Sequence, residues 1–101
     1  MSSIQTAEKE MARAEILEML SMEGADGAGE KVLKAALKKA GYELSEEDIL
    51  RQLSYLKEKG LVRTVEVKNP RIGIRRTIAY ITAAGTDYLE GNSGEIPGVG
   101  E

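Results

Sequence analysis

No cysteine and no histidine occur in this chain. Their absence excludes disulfides, thiolate and imidazole metal sites, cysteine or histidine nucleophiles and any Ser-His-Asp relay. Tryptophan and phenylalanine are also missing, and tyrosine supplies all four aromatic residues. The core must therefore be built from Leu, Ile, Val, Ala and Met. No apolar run is long enough to cross a bilayer, and the first residues lack the basic-then-apolar pattern of a secretory signal. No glycine-rich loop has phosphate-cradling spacing, because Gly24, Gly27 and Gly29 do not follow a strand. No Ser, Thr or Lys stands in a nucleophile context. These absences point to a soluble cytoplasmic protein that is not an enzyme and uses no cofactor or metal.

What is present is enough for one compact domain: 101 residues, of which 42% are hydrophobic. The net charge is −3, which by itself argues against a polyanionic partner. Its distribution argues differently. Between Ile49 and Arg76 eight basic residues face only Glu58 and Glu66, a local charge of +6 against −9 elsewhere. Such segregation creates a local field that the global sum conceals. The alternative reading is a solvated surface that happens to be basic.

The pattern along the chain predicts four helices and one hairpin. Residues 1–6 are polar and expected to fray. Ala7 to Met22 is helical in period, with Thr6 as N-cap and Met11, Ile16, Leu17 and Leu20 on the apolar stripe. Gly24 to Gly29 reads as a flexible connection. A second helix runs from Glu30 to Ala40, its buried face made of Val32, Leu33, Ala36, Leu37 and Ala40, and Gly41 ends it. Tyr42-Glu43-Leu44 is a candidate brief extended segment. Ser45 caps a third helix whose first turn holds Glu46, Glu47 and Asp48, favourable at the positive end of the helix dipole. Ile49, Leu50, Leu53 and Leu56 form its core face, and Gly60 ends it. Leu61–Val67 and Ile74–Ile81 read as strands joined by the turn-rich Lys68-Asn69-Pro70-Arg71-Ile72-Gly73. Thr82 caps a short helix, Ala83–Glu90, and the glycine-rich remainder, residues 92–101, reads as a flexible tail. This order is that of an α+β winged helix-turn-helix. Residues 7–91 are expected to form a three-helix core with a β-hairpin wing and a short C-terminal helix.

The stretch LSYLKEKGLV, Leu53 to Val62, resembles the Leu-x-x-Leu-x-x-x-Gly-Leu-Val signature of bacterial winged-helix regulators of the MarR, ArsR and PadR types. ITAAGTDYLEG, Ile81 to Gly91, is similar to the segment that follows the wing in many of them. The length, the helix-three segment and the Ile96-Pro97-Gly98-Val99 ending are similar to small winged-helix proteins encoded in Mu-like prophages. The resemblance implies double-stranded DNA as partner and transcription regulation as function. It does not extend to ArsR-type metal sensing, which uses Cys or His ligands. The dimer mode of MarR and PadR proteins relies on long terminal helices, and the final helix here is short.

In this plan the third helix enters the major groove. Asp48, Arg51, Gln52, Tyr55 and Lys59 are expected to point outward. Arg51 can pair bidentately with guanine and Gln52 with adenine. Tyr55 can donate to a phosphate or stack, and Lys57 and Lys59 suit phosphate. The alternative for Arg51 and Gln52 is an ordinary solvated helix face. On the wing, Lys68, Arg71, Arg75 and Arg76 cluster near the tip and suit backbone or minor-groove contact. Strand alternation puts Arg75 and Arg76 on opposite faces. One is expected on the wing surface, the other paired with an acidic residue of the body. The three carboxylates that open the helix argue against close approach of phosphate there. They leave a second reading, a winged-helix module that binds protein, which would need an exposed apolar patch at Leu50, Ile72 or Ile74. Met11, Met19 and Met22 of the first helix are the candidate surface of a homodimer.

Overall fold

A computed structural model of the chain describes residues 3–91, with side chains from residue 7 onward. The expected tail, residues 92–101, lies outside the described residues. Helix α1 spans Ser3–Glu23, α2 Glu30–Lys39, α3 Glu46–Glu58 and α4 Ala83–Leu89. Three antiparallel strands, β1 (Ala28–Gly29), β2 (Val62–Asn69) and β3 (Ile74–Ile81), form one sheet in the order β1-β3-β2. This is the winged helix-turn-helix architecture that the element order predicts.

The core lies where the three long helices meet the root of the sheet. Ile16, Leu17 and Leu20 from α1 pack with Leu33 and Leu37 from α2 and Ile49, Leu53 and Leu56 from α3. Leu61 from the turn before β2, Val62 from β2, Ala79 from β3 and Ala28 from β1 close it. Each helix contributes an i, i+3/i+4 stripe, the spacing that puts residues on one face.

Two joints in the chain follow one geometry. At the end of α3, Gly60 has a φ of +76°. Its N–H donates to the Lys57 carbonyl (2.9 Å), and the Leu61 N–H donates to the Leu56 carbonyl (3.0 Å). That is the Schellman pattern, in which a left-handed residue satisfies the orphan carbonyls of the last turn. Leu56 and Leu61, the pair it brings together, are both buried. The chain leaves α3 and enters β2 through a tight turn of Lys59, Gly60 and Leu61. The end of α2 repeats the arrangement with Gly41 (φ +97°), the Tyr42 N–H donating to the Leu37 carbonyl at 2.8 Å.

The start of α3 is a reciprocal capping box. The Asp48 N–H donates to Ser45 Oγ (3.0 Å) and the Ser45 N–H to Asp48 Oδ2 (3.4 Å). Replacing Ser45 with Ala is expected to cost about 1 kcal/mol of stability, read by urea denaturation. No loss would mean that the cap contributes nothing in solution.

Several details depart from the sequence reading. Helix α1 reaches back to Ser3, so Thr6 lies inside it rather than capping it. No glycine or proline between Ser3 and Ala7 interrupts propagation of the helix. The Gly24–Gly29 connection is not merely flexible: Gly24–Asp26 forms a 3-10 turn and Ala28–Gly29 pairs with Ala79 and Ile78 as β1. Close approach requires glycine at position 27, which has a φ of +66°; a Cβ there would lie 2.6 Å from the Ala79 carbonyl oxygen and from the Tyr80 ring. Tyr42-Glu43-Leu44 joins no strand. Val32, expected in the core, is exposed, while Glu30 is buried. The Thr77 N–H of β3 donates to Glu30 Oε2 at 2.7 Å. The carboxylate thus takes the place that a longer β1 would fill.

Candidate nucleic-acid interface

Counting the helical phase from Ile49, Leu53 and Leu56 places positions 47, 51, 54 and 58 on the far side of α3, with 50 and 57 on the flank beside the wing. Glu47, Leu50, Arg51, Ser54, Lys57 and Glu58 are indeed the exposed residues there. Gln52 is not among them. It falls on the core stripe, is 6% exposed, and its Oε1 accepts a hydrogen bond from Arg13 Nε at 2.6 Å. The expectation that Gln52 reads a base edge is therefore corrected, because the 3.6-residue period turns it inward toward α1. Tyr55 is half-buried on the same flank. The Arg13 guanidinium lies 3.8 Å from its ring centroid and Lys59 Nζ 5.4 Å. Arg13, Gln52 and Tyr55 together clasp α1 to α3, with a cation–π contact as one element.

Arg51 does face solvent, but its charge is answered locally. Nη2 lies 2.6 Å from Asp48 Oδ1 and Nη1 3.9 Å from Glu47 Oε1. The Arg51 hydrogen bond, followed by those from Ser45, holds the Asp48 carboxyl below the ordinary aspartate range. A carboxyl with a depressed folded-state pKa contributes stability above its unfolded value and loses it as pH falls through the folded one. Thermal melts from pH 5 downward are expected to fall less steeply for Asp48→Asn than for the unchanged protein. Parallel pH profiles would remove this role from Asp48.

The wing has two unlike faces. Strand register pairs Lys68 with Arg75 and Glu66 with Thr77. Thr64, Glu66 and Lys68 of β2 share the face of Val62, toward the helices. There Glu66 Oε1 lies 3.1 Å from Arg75 Nε and 3.4 Å from Lys68 Nζ. The partner of Arg75 is thus an acidic residue of the neighbouring wing strand rather than of the body. The outer face carries Arg63, stacked 4.1 Å over the Tyr80 ring, and Arg76 with the exposed Val65, Val67 and Ile74. At the tip, the Arg71 N–H donates to Asn69 Oδ1 at 3.2 Å, an Asx turn that precedes exposed Ile72.

Between α3 and the inner face of the wing lies a groove of about 180 Å³ lined by Leu50, Leu53, Ser54, Lys57, Thr64, Glu66 and Thr77. Sequence reading singled out Lys57 here as a DNA contact. Leu50, expected on the core face and named as an apolar contact for a protein partner, is exposed on the groove side, because the helical period turns it about 90° from the core stripe. The helical phase carried the signal for Leu50 and Ser54, but Thr64, Glu66 and Thr77 needed the hairpin register. Two larger clefts, about 280 and 230 Å³, flank Tyr42-Glu43-Leu44 and share no residue with this groove. Among the described residues no helix is long and apolar enough to cross a membrane, and no group of three His, Cys, Asp or Glu could hold a metal ion. Of the three methionines expected at a dimer surface, Met11 and Met22 are exposed, whereas Met19 packs against the core.

The chain is similar in structure to a PadR-like transcription factor from bacteroid fragilis. The TM-score is 0.66 at 18% identity, with 90% of this chain and 84% of that chain covered. At that identity the likeness is one of fold. No curated protein matches. The sequence pattern of the family described as YjcQ protein matches residues 13–95, a span that takes in the Arg13 clasp, α3, the groove and the whole wing. The chain belongs to the YjcQ protein family.

Proposed function

We propose that this protein is a DNA-binding transcriptional regulator, with residues 7–91 as its winged-helix domain. One observation supports the reading: on a winged-helix frame, the exposed face of α3 with Lys57 and the inner face of the wing, which also carries Lys68 and Arg75, border one groove. Arg51 and Ser54 are assigned to base edges, and Lys57 and Lys59 to phosphate. Lys68, Arg71, Arg75 and Arg76 of the wing are assigned to the backbone or the adjacent minor groove. Gln52 and Tyr55 act by holding α3 against α1. A homodimer that lengthens the site is part of the proposal, and the exposed Met11 and Met22 of α1 support it. The similarity to prophage-encoded proteins favours a regulator of that setting.

Fluorescence anisotropy with a labelled random-sequence duplex tests the reading. Affinity is expected to fall steeply with salt. Changing Arg71, Arg75 and Arg76 together to Ala is expected to flatten the log–log salt slope by about 2–3, one contact contributing about 0.9. Absence of binding even at low salt would overturn the proposal. A second reading, a protein-interaction module, is favoured by the apolar wing surface of Val65, Val67, Ile72 and Ile74. Its binding would be insensitive to the arginine substitutions and sensitive to Ile72→Ser and Ile74→Ser.

A further inference from the structure

We infer that Lys68 and Arg75 form a phosphate seat on the inner face of the wing, which Glu66 occupies in the free protein and which a backbone phosphate enters by displacing that carboxylate. The inference rests on the proposed DNA reading for its ligand, but the seat itself is a matter of geometry. Cross-strand pairing sets Lys68 directly opposite Arg75. A single oxygen, Glu66 Oε1, lies within reach of both cations, 3.1 Å from Arg75 Nε and 3.4 Å from Lys68 Nζ. Glu66 also lines the groove that runs past Ser54 and Lys57 of α3. A phosphodiester oxygen has the same acceptor chemistry and the same single negative charge as the carboxylate, and the neighbouring phosphates of a duplex add their field at that position.

Exchange is open on both sides. The side chains of Lys68, Arg75 and Glu66 are 60%, 68% and 46% exposed. Ion pairs of that exposure are weak, so the built-in occupant holds the two cations in place without blocking entry. Glu66 is thereby a filter. A phosphate in the closely spaced array of a duplex competes with it well, whereas an isolated singly charged anion does not.

Two arms test this with Glu66→Gln, using Glu58→Gln as a control that makes the same charge change on α3. In the first, inorganic phosphate is titrated while the Arg75 Nε–H resonance is followed by NMR. A saturable shift in Glu66→Gln, at lower phosphate than in the unchanged protein, is expected; no shift in Glu66→Gln overturns the seat. In the second, duplex binding is measured across salt. Glu66→Gln is expected to bind about five-fold tighter, the equivalent of one exposed ion pair, with a salt slope steeper by about 1–2. Equal gains in both variants with unchanged slopes would reduce the effect to net charge and overturn displacement. A phosphate shift in a protein that binds no duplex would keep the seat and reject the DNA reading.

Discussion

Leu53→Ala is expected to lower the unfolding free energy by about 2–5 kcal/mol, the range for emptying a packed leucine site. Leu53 is 1% exposed in the cluster that α1, α2 and α3 build together. A domain of this size has about 5–15 kcal/mol of stability in all, so the substitution removes a large fraction. Leu50→Ala is the internal control. Leu50 precedes Leu53 by one turn but is 38% exposed on the groove side, and it should cost well under half as much. Urea denaturation with an unchanged m-value is the measurement. Similar losses at the two positions would contradict the facing of α3, and with it the assignment of every side chain on the groove.

Gly85→Ala should destabilise by about 1–3 kcal/mol or more, opposite in sign to the usual result inside a helix. Exchange of helical glycine for alanine ordinarily gains about 1 kcal/mol. Here the new methyl would collide with the Leu61 carbonyl oxygen and lie 2.7 Å from Ile81 Cγ1. The backbone carbonyl has nowhere to go, because it also accepts the Thr82 N–H at 3.0 Å. Thr82 Oγ1 in turn donates to the Gly60 carbonyl (2.7 Å) and accepts from the Gly85 N–H (3.1 Å). Helix α4 is thus bolted to the turn between α3 and β2. Strain at Gly85 is expected to lower the melting temperature by several degrees per kcal/mol. A melting temperature raised by Gly85→Ala would refute the close contact.

Much of this frame is legible in the residues. Ser45 followed by three acids announces a helix start, Gly60 after Lys59 announces its end, and the β-branched runs on either side of Asn69-Pro70 announce a hairpin. Each is a local signal, strong because backbone chemistry at caps and turns is decided by neighbours in sequence. What escaped is non-local. Two residues, Ala28 and Gly29, show no period, and only β3 makes them a strand. The burial of Gln52 depends on a partner 39 residues away. Glu30 is buried because an unpaired strand amide 47 residues on needs an acceptor. Helical phase did contain the correction for Gln52, since position 52 lies three residues beyond Ile49, on the core stripe. Glu66, the centre of the inferred seat, is one charge among many until the register places Lys68 and Arg75 around it.

The wing is rooted at one end only. Val62 and Ala79 are buried at its base, whereas every residue from Val65 to Arg76 is exposed. Seven steps of about 3.3 Å put the tip roughly 23 Å from the first rung, so the hairpin is a cantilever with Lys68, Arg71, Arg75 and Arg76 at the far end. Reach and rigidity then trade against each other. In the proposed DNA complex the tip would follow the curvature of the duplex, and arresting its swing would cost entropy at the moment of contact. Pro70 and the Asn69 turn stiffen the last few ångströms, and the anchorage of Leu61 and Thr82 sets the pivot. Affinity in such a design is tuned as much by how far the beam bends as by how many charges it bears.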